Sequence, residues 1–388
     1  MKIGIFGGSF NPFHAGHRRA LENFIKECRL DRVFVIPTSV PPHKIAEKTV
    51  SDCVRLEIAR LSTSDLNNVE VSDFEILRGG KSYTYITLET FREKYKNDVL
   101  YLYVGSDMLL TLDEWKEPER IFAAATIAAF SRTGNDLAAL EEKKLFLEKK
   151  FGAKIILGKE TPTVVSSTEI RQKARNGEDI SSLVVPAAKE RVKKAYGLPT
   201  NDEIVGKIKP ILKESRFRHS LGVAKEITEL AALYGCDVRR AEVAGLLHDA
   251  TKNFPDEWHL SYMKENGFEP DEAFLRSPQL FHAVTGSFYA RNEFGIEDEG
   301  IISAIRYHTT AKPDMTLIET LLYVSDFTEP TRSYDDVEYY RALARKNIDE
   351  AAARGLIWNI ENLKKRGSPV YFLTVDAAEF YKSKENIE

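Results

Sequence analysis

The stretch that most constrains the fold lies at the start of the chain, where a short apolar run meets two glycines. Residues Ile3 to Phe6 have the length and β-branched content of a buried strand. Gly7 and Gly8 follow, and glycine lets the backbone turn sharply and approach a ligand closely. Apolar residues then recur at helical spacing, with His14 and His17 at the predicted helix start. Free N–H groups and two imidazoles at a helix start suit the phosphates of a nucleotide.

Length and composition indicate a soluble protein of two domains. The 388 residues are enough for two separate cores. A formal net charge of −4 gives no general reason to expect a nucleic-acid polymer as partner. Cys28, Cys53 and Cys236 are too few and too scattered for a disulfide framework, so we expect reduced thiols and a cytoplasmic protein. The start lacks a signal-peptide core, and no apolar run is long enough to predict a membrane partner. Whether the chain forms a homo-oligomer is left open.

The first half of the chain alternates apolar runs with helical stretches. The first run is followed by five others that predict strands, at Arg32–Ile36, Val69–Val71, Val99–Val104, Ala125–Phe130 and Lys154–Leu157. Strands separated by helices predict a parallel sheet with helices on both faces, whose ligand site lies beyond the carboxyl ends of the strands. The predicted class is α/β and Rossmann-like, over residues 1–198.

Five motifs in this half occur in the order found in one family. The segment from Gly8 to His17, Gly-Ser-Phe-Asn-Pro-Phe-His-x-Gly-His, resembles the signature of the HxGH nucleotidyltransferases, in particular bacterial nicotinate-mononucleotide adenylyltransferase. Ser166 and Glu169 have the spacing of a capping box, which predicts a helix start there. The remaining family motifs are Pro41-Pro42-His43-Lys44, Ser82-Tyr83-Thr84, Gly105-Ser106-Asp107 with Trp115, and Ser166 to Arg171; Arg132 resembles the family's arginine after the fifth strand.

This resemblance implies transfer of AMP from ATP to nicotinate mononucleotide, giving deamido-NAD and pyrophosphate, with Mg²⁺ arriving on ATP. It implies that transition-state charge is stabilised by His14, His17, Lys44 and Arg171. It implies that ATP is bound by Gly7, Gly8, Ser9, Phe10, His14, His17, Asp107, Ser166, Ser167, Thr168 and Arg171. It implies that nicotinate mononucleotide is bound by Ser82, Tyr83, Thr84, Trp115 and Arg132. The alternative is another nucleotidyltransferase of the same fold that adenylylates a different substrate, such as phosphopantetheine. Trp115 and the Ser82 segment argue against this alternative.

The second half has a different pattern, because strand-like runs disappear and helical periodicity dominates. We therefore predict an all-α domain over residues 199–388. Histidine is its main signal, since four histidines in apolar helical surroundings together with two aspartates form a metal-ligand set: His219, His248, Asp249, His282, His308 and Asp326. His259 matches none of these positions, and we expect it at the surface.

The order His…His-Asp…His…His…Asp resembles the HD phosphohydrolase superfamily. The segments around His248, His308 and Asp326 closely resemble bacterial HD-domain hydrolases that split diadenosine tetraphosphate symmetrically into two ADP. The resemblance implies a two-metal centre on those six ligands, which suit iron or manganese better than zinc. It implies a catalytic phosphate contact from Lys252 and another from Arg332. The alternative is a regulatory module that binds nucleotides without cleaving them.

Overall fold

The backbone of the first 197 residues is organised by six strands. In the computed structural model, which describes residues 1–39, 49–131, 137–159 and 165–385, the chain divides into a first unit, Met1–Gly197, and a second unit, Leu198–Glu388. The division lies beside the predicted boundary at residue 198.

The six strands of the first unit form one parallel sheet. They are β1 (Lys2–Gly8), β2 (Arg32–Pro37), β3 (Val69–Val71), β4 (Val99–Gly105), β5 (Thr126–Ser131) and β6 (Ile155–Lys159), in the order β3-β2-β1-β4-β5-β6. Every predicted strand is present, and the predicted α/β Rossmann-like class is confirmed. The strand order reverses direction beside β1, and open α/β sheets bind ligands at this point, beyond the carboxyl ends of the strands.

Helices cover both faces of the sheet. They are α1 (Ala15–Cys28), α2 (Asp52–Thr63), α3 (Phe74–Arg78), α4 (Thr84–Lys94), α5 (Ser106–Leu110), α6 (Pro118–Ala124), α7 (Leu137–Phe151), α8 (Ser167–Arg175) and α9 (Lys189–Tyr196). Alternate residues of β1 enter two different cores, because Ile5 packs with Leu102 while Phe6 packs with Phe24 of α1. At Gly4 a Cβ would lie 2.8 Å from the Phe24 ring, so glycine lets α1 pack closely on β1.

The second unit is helical throughout the part that the structure describes. Its helices are α10 (Asn201–Ile208), α11 (Glu214–Tyr234), α12 (Val238–Leu247), α13 (Asp256–Glu265), α14 (Glu272–Leu275), α15 (Phe281–Phe294), α16 (Glu299–Tyr307), α17 (Leu317–Thr328), α18 (Val337–Lys346), α19 (Ile348–Lys365) and α20 (Phe372–Glu385). The predicted all-α class is confirmed. Helix α11 packs against α12 and α17, and α16 packs against α15, α12 and α17, which brings the histidine-bearing helices together.

Two long helices of the second unit are terminated by left-handed glycines. Helix α11 ends at Gly235 and α15 ends at Gly295, both with positive φ. Over the residues described, we find no helix with both the length and the apolar character needed to span a bilayer.

Candidate active sites

The first candidate site is a cavity of about 630 Å³ beyond the carboxyl ends of β1, β2 and β4. Backbone from the glycine turn forms one side, and the start of α8 forms another. The cavity brings together ten of the predicted nucleotide-site residues: Gly7, Gly8, Ser9, Ser82, Tyr83, Thr84, Trp115, Ser167, Thr168 and Arg171. Residues from four separate motifs therefore line the same cavity.

Below the glycine turn, Phe10 fills the core. Its side chain is 1% exposed and stacks on Phe6, with ring centroids 5.8 Å apart. A Cβ on Gly8 would lie 2.8 Å from the Phe10 ring, so glycine is required where the turn passes over it. Phe10 was predicted among the ATP-binding residues, but its side chain faces the core and not the cavity.

His14 and His17 form the start of α1 as a pair. His14 is the N-cap, and the two rings stack with centroids 3.7 Å apart. The backbone N–H of each residue donates to Nδ1 of the other at 3.3 Å, which is a capping box built from imidazoles. Because Nδ1 accepts in both rings, the neutral form of each carries its proton on Nε2. Neither histidine is among the residues that line the cavity.

The start of α8 is joined to the glycine turn by hydrogen bonds. Ser166 caps the helix, its Oγ accepting from the Glu169 N–H at 3.1 Å, which is one of the two hydrogen bonds of the predicted capping box. Ser167 Oγ donates to the Pro12 carbonyl at 3.3 Å, and Arg171 Nη1 donates to the Asn11 carbonyl at 2.8 Å. Motifs about 160 positions apart in the chain thus form one surface, with helix N–H groups at its edge.

Not every predicted residue lines the cavity. Asp107 is an exposed residue of α5, and Ser166 acts as the helix cap behind Ser167. Lys44 and Arg132 lie outside the residues that the structure describes.

Sequence reasoning missed two polar residues that hold the glycine turn. Arg55 of α2 is 6% exposed and donates to the carbonyls of Ser9 and Thr38. Asn11 Oδ1 accepts from Thr49 Oγ1 at 2.9 Å and from the Tyr196 hydroxyl at 2.7 Å. Both act through tertiary contacts, which the sequence does not reveal even though Asn11 belongs to the Gly8–His17 signature.

A third missed residue, Glu75, lies in the cavity wall beside the predicted nicotinate segment. Its side chain is 5% exposed, and its Oε1 accepts from Thr87 Oγ1 at 2.7 Å. Burial raises the pKa of Glu75 above its ordinary value, although the hydroxyls of Thr87 and Ser82 oppose the shift. This wall therefore holds a carboxyl that burial favours in its neutral form.

The second candidate site is a cluster of four histidines and two aspartates, with Asp249 at its centre. Asp249 is 2% exposed, and its two oxygens face different neighbours. Oδ2 lies 3.2 Å from His248 Nε2 and 3.7 Å from His219 Nε2. Oδ1 lies 3.0 Å from His282 Nε2 and 3.7 Å from His308 Nε2. Asp249 therefore bridges two groups of ligand atoms.

The sixth predicted ligand, Asp326, belongs to one of these groups. Its Oδ1 lies 2.9 Å from His219 Nε2 and 4.0 Å from His248 Nε2. We call His219, His248 and Asp326 the His219 group, and His282 with His308 the His282 group. In the described part of the chain, ligand atoms lie within 4.8 Å of one another for the His219 group and for His248, Asp249 and His308. All six predicted ligands are brought together.

Outer contacts aim the imidazoles into the cluster. His248 Nδ1 donates to the Gly245 carbonyl at 2.7 Å and His308 Nδ1 donates to the Ile305 carbonyl at 2.6 Å, so their neutral rings carry a bare Nε2. His219 Nδ1 lies 3.0 Å from Oε1 of Glu329, which is fully buried and was missed by sequence reasoning. These bare nitrogens face carboxylate oxygens and one another, an electron-rich arrangement that fits divalent cations.

Protonation of the cluster also suits metal ligation. Burial alone would raise the pKa of Asp249, but His248, His282 and His308 outweigh it and hold that pKa well below its ordinary value. The pKa of Asp326 is likewise lowered, because His219 and Arg332 outweigh burial. Burial lowers the pKa of His282 to about 3, so its imidazole is neutral.

Three cations border the cluster. Lys252 Nζ lies 3.1 Å from His282 Nδ1, and Arg332 Nη2 lies 2.8 Å from Asp326 Oδ1. Arg216, a residue that sequence reasoning missed, places Nη1 2.6 Å from Asp249 Oδ2. A cavity of about 310 Å³ opens beside them, lined by Lys252, Arg332, His308, Asp326 and the rings of Tyr334 and Trp358. Cations beside an aromatic-lined cavity suit a phosphorylated nucleoside.

The expectation that His259 lies at the surface is wrong. Its side chain is 3% exposed, and Nδ1 lies 2.8 Å from Thr285 Oγ1. Thr285 is also 3.0 Å from Thr251, whose hydroxyl donates to the His282 carbonyl. His259 is therefore a buried histidine behind the cluster, and the polar partner that satisfies it is distant in sequence.

Comparisons with known proteins agree with this division. Residues 5–173 match the cytidylyltransferase-like family, and residues 216–332 match the HD domain family. A probable nicotinate-nucleotide adenylyltransferase of Clostridium tetani is 36% identical over 197 residues, covering 51% of this chain and 98% of that protein. A symmetrical bis(5'-nucleosyl)-tetraphosphatase of Halalkalibacterium halodurans is 36% identical over 164 residues, covering 42% of this chain and 87% of that protein.

A third relative spans both halves. It is a probable nicotinate-nucleotide adenylyltransferase/Ap4A hydrolase of Mycoplasma genitalium, 26% identical over 372 residues, which cover 94% of this chain and 99% of that protein. The chain thus belongs to the bacterial nicotinate-nucleotide adenylyltransferases through its first half and to the HD-domain symmetrical tetraphosphatases through its second.

Proposed function

We propose that this chain is a bifunctional enzyme that adenylylates nicotinate mononucleotide and hydrolyses diadenosine tetraphosphate. The observation that carries the first activity is the single cavity shared by the glycine turn, the Ser82 segment, Trp115 and the start of α8. ATP phosphates would lie along the glycine turn and the α8 start, where backbone N–H groups and Arg171 neutralise charge. The pyridine ring would lie against Trp115.

In the adenylyl transfer, the phosphate of nicotinate mononucleotide attacks the α-phosphorus of ATP and pyrophosphate leaves. The protein's work is to align the two phosphates and to stabilise charge, with Mg²⁺ arriving on ATP. We assign charge stabilisation to the Nε2–H groups of His14 and His17 together with Arg171 and Lys44. Ser82, Tyr83, Thr84 and Arg132 are assigned to the nicotinate mononucleotide.

Pyrophosphate release tests this activity. The purified chain is incubated with MgATP and, in separate reactions, nicotinate mononucleotide, nicotinamide mononucleotide or phosphopantetheine. We expect turnover with the first, and W115A should raise KM for it by about tenfold or more while leaving KM for ATP near the native value. W358A, which removes a tryptophan of the second unit, is the matched control. Preferred turnover of phosphopantetheine would overturn the assignment.

The second activity rests on the bridging position of Asp249 between two groups of imidazoles. Divalent cations held by the six ligands, with iron or manganese favoured, would supply Lewis acidity and an activated water. The chain's own part is to keep Asp249 and Asp326 ionised, to hold the four imidazoles with their ligand nitrogens facing these carboxylates, and to bind the polyphosphate with Lys252 and Arg332. The aromatic-lined cavity would take a nucleoside of the substrate.

Chromatography of the products tests the hydrolase. With Mn²⁺ or Fe²⁺ present, diadenosine tetraphosphate should give ADP alone, and D249N should lose the activity by at least about a thousandfold because one carboxylate serves both groups. E226Q removes another buried carboxylate of the second unit and is the control. ATP and AMP as products would contradict symmetric cleavage, and intact substrate would favour a nucleotide-binding regulatory module.

We place the enzyme in the cytoplasm, where its nucleotide substrates are and where its three free cysteines stay reduced.

A further inference from the structure

The two sides of the histidine–aspartate cluster are not equivalent, and the difference lies in their outer contacts. The His219 group contains its own carboxylate, Asp326, in addition to the shared Asp249. The His282 group has two imidazoles and only the shared carboxylate. Each side therefore offers two imidazoles, but the anionic ligands are unevenly divided.

A second carboxylate supports the His219 group from behind. Glu329 is fully buried, its Oε1 lies 3.0 Å from His219 Nδ1, and the backbone N–H of Thr331 donates to its Oε2 at 2.7 Å. Gly222 makes this approach feasible, because a Cβ there would lie 2.2 Å from Glu329 Oε2. A carboxylate behind a metal-binding imidazole fixes the tautomer and raises the basicity of the ligating nitrogen.

In the His282 group a cation, and not a second carboxylate, lies against the imidazole of His282. Lys252 Nζ lies 3.1 Å from Nδ1 and 3.2 Å from Nε2 of His282. Because Nζ is nearly equidistant from the two ring nitrogens, it lies over the face of the ring, where its positive charge opposes a second cation bound to Nε2.

The other nearby charges do not reverse this difference. Arg216 pairs with Asp249 and Arg332 pairs with Asp326, both on the side of the His219 group. Leaving aside the shared Asp249, the His219 side has two carboxylates, Asp326 and Glu329, against two arginines, whereas the His282 side has only the Lys252 cation. For binding a divalent cation, the His219 side is therefore more favourable, because its net charge is lower by one and it has one more direct ligand.

We infer that the two metal positions are unequal, so that the position at the His219 group is filled first and retained while the position at the His282 group is filled second and exchanges. The inference rests on the proposed metal-dependent hydrolase. It goes beyond that function, because it assigns Glu329 and Lys252 opposite effects on metal affinity.

The test is a Mn²⁺ titration of the full chain after chelator treatment, followed by calorimetry and electron paramagnetic resonance. We expect two binding events that differ by about tenfold or more. One equivalent should give a mononuclear six-line spectrum and survive gel filtration, and a second should give an exchange-coupled spectrum. Two equivalents with a single affinity, coupled from the start of the titration, would overturn the inference.

Two variants assign the positions. E329Q should weaken the first binding event by about 10–100-fold and leave the second nearly unchanged, while K252M should strengthen the second. The matched control is E226Q, because Glu226 is a buried glutamate of the same helix as His219 that pairs with Arg345 and contacts none of the six ligands. If E329Q fails to fold, K252M still decides, since an unchanged second event would contradict the assignment.

Hydrolysis is measured on the same samples so that the two ideas fail separately. Unequal binding without cleavage of diadenosine tetraphosphate would leave this inference standing and remove the proposed hydrolase. Cleavage by a protein that binds both metals equally would do the reverse.

Discussion

The protonation state of Glu75, a residue of the first cavity, affects the stability of the first unit. Its carboxyl is buried beside Ser82 and Thr87, and burial raises its pKa. The folded state then holds this proton more tightly than the unfolded chain does. Its favourable contribution to the free energy of unfolding is fully present below the pKa of Glu75 in the unfolded chain, and it is lost as pH rises through the pKa in the folded state.

We therefore expect E75Q to change the pH dependence of stability. Glutamine keeps the shape of the neutral acid and cannot ionise, so the Tm of E75Q relative to the native chain should rise between about pH 4.5 and neutral pH. Thermal melts of the first unit's transition across that range check it. E93Q, which removes an exposed carboxyl of α4, is the control. A constant difference between E75Q and the native chain would show that Glu75 does not titrate differently on folding.

Individual site residues could be predicted where they belong to a sequence motif. They could not be predicted where only tertiary packing brings them to the site. The six cluster ligands were predicted from histidines and aspartates in apolar helical surroundings and from the order that they share with the HD phosphohydrolases, and the structure brings all six together. Glu329 and Arg216 reach the same cluster, from 110 and 33 positions away from their partners, through contacts that no spacing encodes. His259 was placed wrongly for the same reason, because its partner Thr285 is 26 positions away.

At the scale of elements, the sequence was most informative for the sheet. A parallel strand is buried on both faces, so its apolar run is continuous and its glycine or proline boundaries are sharp. All six runs became strands with ends close to those expected. How closely helices pack could not be predicted, because it depends on pairs of small residues that meet only in the folded chain.

Gly245 shows such a close approach between α11, which carries His219, and α12, which ends directly before His248. A Cβ at Gly245 would lie 2.8 Å from the Cα of Ala224, which is backbone and cannot move aside alone. We expect G245A to destabilise the second unit by about 1–3 kcal/mol and to reduce metal retention, because the two helices must separate. Thermal melts and metal content of the desalted protein measure both effects.

Gly206 provides the comparison for this substitution. It lies within α10, and a Cβ there would meet no described atom within 4 Å. G206A should leave stability unchanged or raise it by up to about 1 kcal/mol, since alanine favours a helix interior over glycine. Equal effects of G206A and G245A would mean that helix propensity, and not the α11–α12 contact, determines the result.

At the scale of the whole molecule, each unit has its own hydrophobic cores and its own chemistry. The first unit has two cores, one on each face of its sheet, and the second has a large core and a smaller one around Phe281. The alternation of apolar runs with helical stretches in the first half and the helical periodicity of the second half were evident from the sequence alone, which is why the two fold classes could be predicted. The relative metal affinity of the His219 group and the His282 group could not be predicted from the sequence, because it depends on burial and on contacts around the ligands.

Metal removal should separate the two activities within the intact chain. All six cluster ligands belong to the second unit, and four imidazoles and two carboxylates facing one another are costly to fold without cations. After chelation and desalting, hydrolysis of diadenosine tetraphosphate should be lost while adenylyl transfer measured with fresh MgATP stays within about twofold, because that site takes its Mg²⁺ with the substrate.

Calorimetry should show a lower Tm for the second unit alone, since a cation at about 100 times its Kd stabilises the folded state by about 2.7 kcal/mol. Return of Mn²⁺ should restore both hydrolysis and Tm. Loss of adenylyl transfer together with hydrolysis would instead mean that the first unit depends on metal held by the second.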